Sequence, residues 1–214
     1  MSTQKDIAKA LVARAGTTYA ERAGIRLKDK PSPLYRLLVL SLLLSAPIGA
    51  DIAVRTAKEL ARSGYRTPRA MADATWQERV DALGRGHYRR YDERTSTMLG
   101  AGAERLRDEY NGDLRRLHDR AADRSEVEEL LQEFPGIGPS GTAIFCREVQ
   151  TVWPDVWPYV DDKALKGAKA LGLPDDPDRL ANLVDRPDLP RLLAGCIDAA
   201  TSREVADDVR AAVG

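Results

Sequence analysis

Residues 133–149 read EFPGIGPSGTAIFCREV, and the fold turns on the four residues Pro135-Gly136-Ile137-Gly138. Upstream, Ser125 to Phe134 places apolar residues at helical spacing, with Ser125 as the expected cap and Glu128 completing a capping box. Downstream, Thr142 to Val149 reads helical again through Ile144, Phe145 and Val149. The junction is too short for a strand and too tight for an ordinary loop. Gly136 and Gly138 are expected to supply positive φ for the reversal. Without side chains they also leave bare N–H groups at the start of a helix, where the positive dipole end suits a phosphate.

Composition bounds what surrounds this hairpin. The chain has 214 residues, 43% hydrophobic and 31% charged, enough for one medium domain or two small lobes. Net charge is zero, so bulk electrostatics advertises no polyanionic partner, but the charge is unevenly spread. From Asp175 to Gly214 nine acids face five arginines, a net of −4, which leaves +4 for residues 1–174. A polyanion is expected to meet that first part. Cys146 and Cys196 stand fifty residues apart in partly apolar stretches and read as buried free thiols in a reducing cytoplasm. No signal peptide or membrane span is expected; the longest apolar run, Leu37 to Ala46, is too short to cross a bilayer. It reads as a buried helix at the centre of the core.

Helical signals dominate the remainder, and the expected fold is all-α. A first helix spans residues 3–15. After the Lys28–Ser32 linker, Pro33 opens the buried helix, which Ala46-Pro47-Ile48-Gly49 ends. Asp51 caps a helix to Ser63, and Thr67-Pro68 and Thr75 announce short helices over 68–73 and 76–83. A long helix follows the Arg85–Arg90 stretch and stops at Asn111-Gly112. Beyond the hairpin, Asp161 or Asp162 starts another helix, ending at Leu171-Gly172, and two or three short helices rich in Asp and Arg complete the chain. No metal constellation surrounds His118, and no metal ligands are expected.

The hairpin resembles a helix-hairpin-helix DNA-binding element. The ordered set LYRLLVLSLLLSAP, AVRTAKEL, TPRAMADA, FPGIGPS and PYVDD resembles the endonuclease III-like DNA glycosylases over roughly residues 33–172. That resemblance implies two helical lobes with a cleft between them. One covers residues 34–159 and includes the helix-hairpin-helix at about 125–150; residues 1–33 plus 160–214 form the other. It implies that Gly136 and Gly138, with the amides of Ile137 and Ser140, grip a backbone phosphate. Asp161, after Pro158-Tyr159-Val160, matches the catalytic aspartate, with Asp162 the second choice and a bare N-cap role the structural alternative. Arg85, His87, Tyr88, Arg89 and Arg90 lie where relatives place a DNA-contacting loop, and His87 or Tyr88 is placed to fill the gap left by an extruded base. Pro47 occupies the position of a residue that relatives insert into the duplex, where it offers only an apolar wedge. Trp153, Trp157 and Tyr159 either line a base pocket or pack in the core.

Two departures shape the expected activity. Where bifunctional relatives carry a lysine, this chain has Ser140, so Schiff-base chemistry at the sugar is not expected. The family's iron–sulfur module needs four closely spaced cysteines, and the tail holds only Cys196, so no cluster and no other cofactor is expected. The implied protein is a monomeric, cytoplasmic, nucleoid-associated monofunctional glycosylase of base-excision repair. It would act on double-stranded DNA bearing a lesion or mismatch, the excised base being unspecified. The alternative is a non-catalytic DNA-binding protein on the same scaffold.

Overall fold

The computed structural model describes residues 3–213, and among these no strand occurs. The helices follow in the order α1 (Gln4–Ala15), α2 (Tyr19–Arg22), α3 (Pro31–Ser45), α4 (Ala50–Arg62), α5 (Pro68–Asp73), α6 (Trp76–Arg85) and α7 (Asp92–Tyr110). Then come α8 (Leu114–Arg120), α9 (Arg124–Gln132), α10 (Pro139–Val149), α11 (Asp162–Ala170), α12 (Pro177–Ala181), α13 (Leu189–Thr201) and α14 (Arg203–Val213). Short 3-10 turns occupy Pro154–Val156 and Arg186–Asp188. The chain forms two compact units: Ala20–Cys146, and Met1–Tyr19 with Arg147–Gly214. These limits differ from the 34–159 division read from the sequence at both ends, and the later one falls inside α10.

The Ala20–Cys146 unit is built round α3. Leu34 to Leu43, apart from Arg36, are buried on every face of that helix, and Ser41 turns its hydroxyl back to donate to the Leu37 carbonyl at 2.9 Å. Burying a leucine completely is worth about 1.5–3 kcal/mol, which makes α3 the unit's main apolar element. α4 packs on α3, and α7 packs on α5 and α6. Capping follows the sequence signals at Thr67 and at Thr75, whose box with Glu78 is complete. Asn111, in the left-handed region at φ 53°, ends α7. Other boundaries differ from the reading. Gly49, not Asp51, precedes α4, and Asp51 lies in its first turn, where its charge suits the dipole. The cap of α9 is Asp123, which accepts from the Glu126 amide at 3.0 Å; Ser125 lies inside the helix. α8 has no counterpart in the sequence reading.

In the other unit α13 is central, with α1, α11 and α14 packed on it. Far from being a short tail element, α13 buries Leu189, Leu192, Leu193, Cys196 and Ile197. Gly167 sets how closely α11 approaches: an added Cβ would lie 2.2 Å from the Cys196 carbonyl oxygen. Both cysteines are free and buried, and burial pushes the thiols up, that of Cys196 to about 12. Among the described residues no helix is long and apolar enough to cross a membrane.

Candidate functional site

The hairpin is set rigidly on α7 and α3. Arg105 on α7 pairs with the Glu133 carboxylate, donates to the Glu133 carbonyl at 3.2 Å and lies 5.7 Å from the Phe134 ring centre. Tyr110 stacks on Phe134 at 6.2 Å. Pro135 and Ile137 then line an apolar cavity with Leu38 and Leu42 of α3 and Met98 and Leu99 of α7. Gly136 carries the reversal at φ 84° and presses inward, since a Cβ there would come within 2.6 Å of Met98 Sδ and 3.2 Å of Leu42 Cδ1.

Two hairpin expectations need correction. Gly138 has no positive φ; it immediately precedes α10, where its carbonyl accepts from the Thr142 amide at 2.9 Å. A Cβ on Gly138 would meet nothing within 4 Å, so this glycine leaves space outside the protein and relieves no strain inside it. The Ile137 amide is also not open to a phosphate, because it donates to Phe134 O at 3.0 Å and its side chain is buried. What remains at the start of α10 is exposed Pro139 and Ser140 behind a bare glycine, with the first-turn amides and the positive dipole end.

The other proposed DNA-contacting loops lie by the C-terminal half of α3. Pro47 lies two residues beyond the end of α3 and is exposed. Tyr88 in the α6–α7 loop donates its hydroxyl to Leu43 O of α3 at 3.5 Å. Hairpin, Pro47 loop and α6–α7 loop thus all rest on the C-terminal half of α3. Within the α6–α7 loop the residues divide. Tyr88 is fully buried, contrary to its expected role at a base gap, because the turn aims its ring into the core. His87 stands exposed at the tip with φ 69°, an uncommon conformation for a residue with a side chain. Arg89 and Arg90 are exposed, Arg90 lying 5.3 Å from the Tyr91 ring centre. Arg85 is committed to Glu59 at 2.8 Å and to Ser63 Oγ at 2.9 Å.

In the other unit the two aspartates are treated differently. Asp161 caps α11, its Oδ1 accepting from the Ala164 amide at 3.0 Å, while its Oδ2 receives the Arg147 guanidinium. Both side chains are nearly buried, at 8% and 4% exposure. Asp162 is exposed in the first turn of α11, as are Lys163 and Lys166 farther along. Sequence reasoning missed the residues that hold Asp161. Arg147 lies 6.0 Å from the Tyr19 ring centre, and Glu148 Oε1 accepts from the Tyr19 amide at 2.8 Å. Gln150 clasps Tyr159 from both sides, donating to its carbonyl at 3.0 Å and accepting from its amide at 2.9 Å, and also donates to Arg147 O. The available signal was the polar residues Arg147, Glu148 and Gln150 following an apolar helical stretch just before Val152-Trp153, where a solvated face is not expected.

Of the aromatic residues ahead of Asp161, Trp153 and Trp157 serve packing. Trp153 is buried at 1% exposure. Trp157 packs against the core around α11 and α13, with Arg186 5.0 Å from its ring centre. Among the described residues no His, Cys, Asp or Glu group is placed to hold a metal ion.

No family model matches the chain, and no curated protein matches it either. Solved structures do match. One is a trapped endonuclease III–DNA covalent intermediate, an estranged-adenine complex, with a TM-score of 0.52 and 19% identity over 92% of this chain and 86% of that one. Another is a non-covalent endonuclease III–DNA complex, with a TM-score of 0.53, the same identity and the same coverage. The all-α fold is therefore endonuclease III-like.

Proposed function

We propose that this chain is a monofunctional DNA glycosylase of base-excision repair, which binds duplex DNA at a lesion or mismatch and hydrolyses the N-glycosidic bond of an extruded base. The observation that carries this is the seating of the glycine hairpin, the Pro47 loop and the α6–α7 loop on one half of α3, within an endonuclease III-like fold. The open start of α10 receives a backbone phosphate through amides near Gly138 and Ser140. Arg89 and Arg90 neutralise neighbouring phosphates, and His87 enters the gap that the base leaves.

Asp161 supplies the charge for the chemical step. A fixed carboxylate stabilises positive charge developing on the sugar and orients the attacking water; removing one such preorganised group elsewhere costs about 10²–10³ in rate. Ser140 carries no amine, and a hydroxyl forms no iminium with the sugar, so the strand stays intact. No cofactor is needed. The test is a panel of duplexes carrying uracil, hypoxanthine, 8-oxoguanine or a thymine–guanine mismatch, scored for base release. The expected product is an abasic site that nicks only in hot alkali, with no adduct trapped by borohydride. No release from any duplex, together with an Asp161→Asn variant indistinguishable from the parent in every DNA assay, defeats the proposal.

One observation favours a second reading, a non-catalytic DNA-binding protein. Asp161 already has a guanidinium on one oxygen and an amide on the other, which leaves less charge for a sugar cation. Tight, lesion-dependent duplex binding without base release is the outcome that selects it.

A further inference from the structure

We propose that Arg147 is the positioning residue for Asp161, holding its carboxylate in one orientation before DNA arrives; this rests on the glycosylase reading. A carboxylate has about four acceptor sites, and two are filled here, one on each oxygen. Rotation about the Cβ–Cγ bond carries both oxygens, and the Ala164 amide alone restrains it from one side only. With Arg147 on Oδ2 that rotation is closed, and the remaining lone pairs keep fixed directions.

Arg147 can act as a template because it is itself held. It is buried beside the Tyr19 ring, and its neighbour Glu148 ties down the Tyr19 backbone. Gln150, one turn on, fixes both backbone groups of Tyr159, two residues before the aspartate. Gln150 also donates to the Arg147 carbonyl, so one side chain ties the segment carrying the carboxylate to the backbone of the residue orienting it.

Stability alone is a poor reason for this arrangement. Desolvating a buried ion pair largely cancels its Coulombic attraction, and apolar residues of similar volume often serve the fold equally well. A reacting group, by contrast, must be held within about 0.5 Å and 10–20° of its working geometry by surrounding residues.

The test uses the whole chain and two abasic-site duplexes: one with a cationic pyrrolidine in place of the sugar, one with neutral tetrahydrofuran. Their affinity ratio reads the negative charge presented at the sugar, whichever base is excised. The parent protein is expected to prefer pyrrolidine about tenfold or more, and Asp161→Asn to bind both alike within about threefold. In Arg147→Met the ratio falls to within about threefold of one while tetrahydrofuran affinity stays within about twofold, and Arg147→Lys recovers most of the preference. The direction is diagnostic. If Arg147 merely offset the charge of Asp161, its loss would raise the ratio; if it sets the orientation, the ratio falls.

An Arg147→Met protein that melts as a folded chain and keeps or exceeds the parent ratio overturns the proposal. Should that variant fail to fold, Arg147→Gln is read by the same criterion. A parent protein with no preference at all sinks the glycosylase reading first. A parent with the preference, an Asp161→Asn without it and an unchanged Arg147→Met sink only the role of Arg147.

Discussion

The two hairpin glycines should separate stability from binding. Gly136 sits at φ 84°, where a side chain costs about 1–3 kcal/mol of backbone strain. The new Cβ also meets Met98 Sδ at 2.6 Å, and although the thioether end can move, overpacking of this kind adds about 1–3 kcal/mol. Gly136→Ala should therefore destabilise by about 2–6 kcal/mol, lowering Tm by roughly 4–24 °C for a chain of this size. Gly138 has neither problem: its φ is not positive and a Cβ there has open space. Gly138→Val should lose only about 1 kcal/mol, the usual scale for a poorer residue at a helix start.

Binding should respond in the opposite order. On the proposed reading, a side chain at Gly138 stands where a phosphate would approach the α10 amides. Losing a hydrogen bond to a charged group costs about 1.5–3 kcal/mol, or roughly 10- to 100-fold in Kd. The loss should be the same for every duplex sequence, because phosphate contacts carry no base information. Thermal melts by circular dichroism and fluorescence anisotropy on a tetrahydrofuran duplex provide both readings. A Gly138→Val protein that melts near the parent temperature and binds with unchanged affinity removes the hairpin from the DNA interface. A Gly136→Ala protein that melts like the parent refutes the strain argument.

Three further outcomes follow from the packing. Gly167→Ala, which drives a methyl into the Cys196 carbonyl, should destabilise by about 1–3 kcal/mol in a denaturant titration; an unchanged midpoint would mean α11 can shift away freely. Neither cysteine should react with iodoacetamide at pH 8 in the folded protein, and both should react in denaturant; labelling of the native chain would show that the thiols are reachable. For Cys196 the folded thiol is raised to about 12 from an ordinary 9.0, so the neutral form is favoured by folding. That contribution is complete below pH 9 and is lost as pH rises toward 12, so denaturant midpoints should fall across that window, and less so in Cys196→Ser.

Much of the fold was legible because its signals are local. Thr67-Pro68, Thr75 with Glu78, and Asn111-Gly112 each satisfy backbone groups within a few residues, so their chemistry does not depend on the tertiary fold. Where two local solutions compete, the sequence is silent. Ser125 with Glu128 fits the capping pattern, but Asp123, two residues earlier, takes the role by bonding the Glu126 amide. α8 escaped notice because LRRLHDR is mostly charged, and only Leu114 and Leu117 face the core. Gly-Ile-Gly marks a reversal without saying which glycine bears the positive φ. The Arg147–Gln150 cradle was least legible, since burial of those side chains depends on Tyr19, Tyr159 and Asp161, none of them their helical neighbours.

The placement of α1 has a consequence for how the chain is made. Ala8, Leu11 and Ala15 line the face of α1 that belongs against α13 and α14, and synthesis reaches those helices only after the whole Ala20–Cys146 unit has been made. At about 5–20 residues per second, α1 leaves the ribosome roughly ten to thirty-five seconds before α13 exists to cover it. The Ala20–Cys146 unit, one uninterrupted segment, can meanwhile complete its own core around α3. During translation α1 is thus an unpaired segment tethered to a folding unit, and the second unit closes only when α13 and α14 emerge.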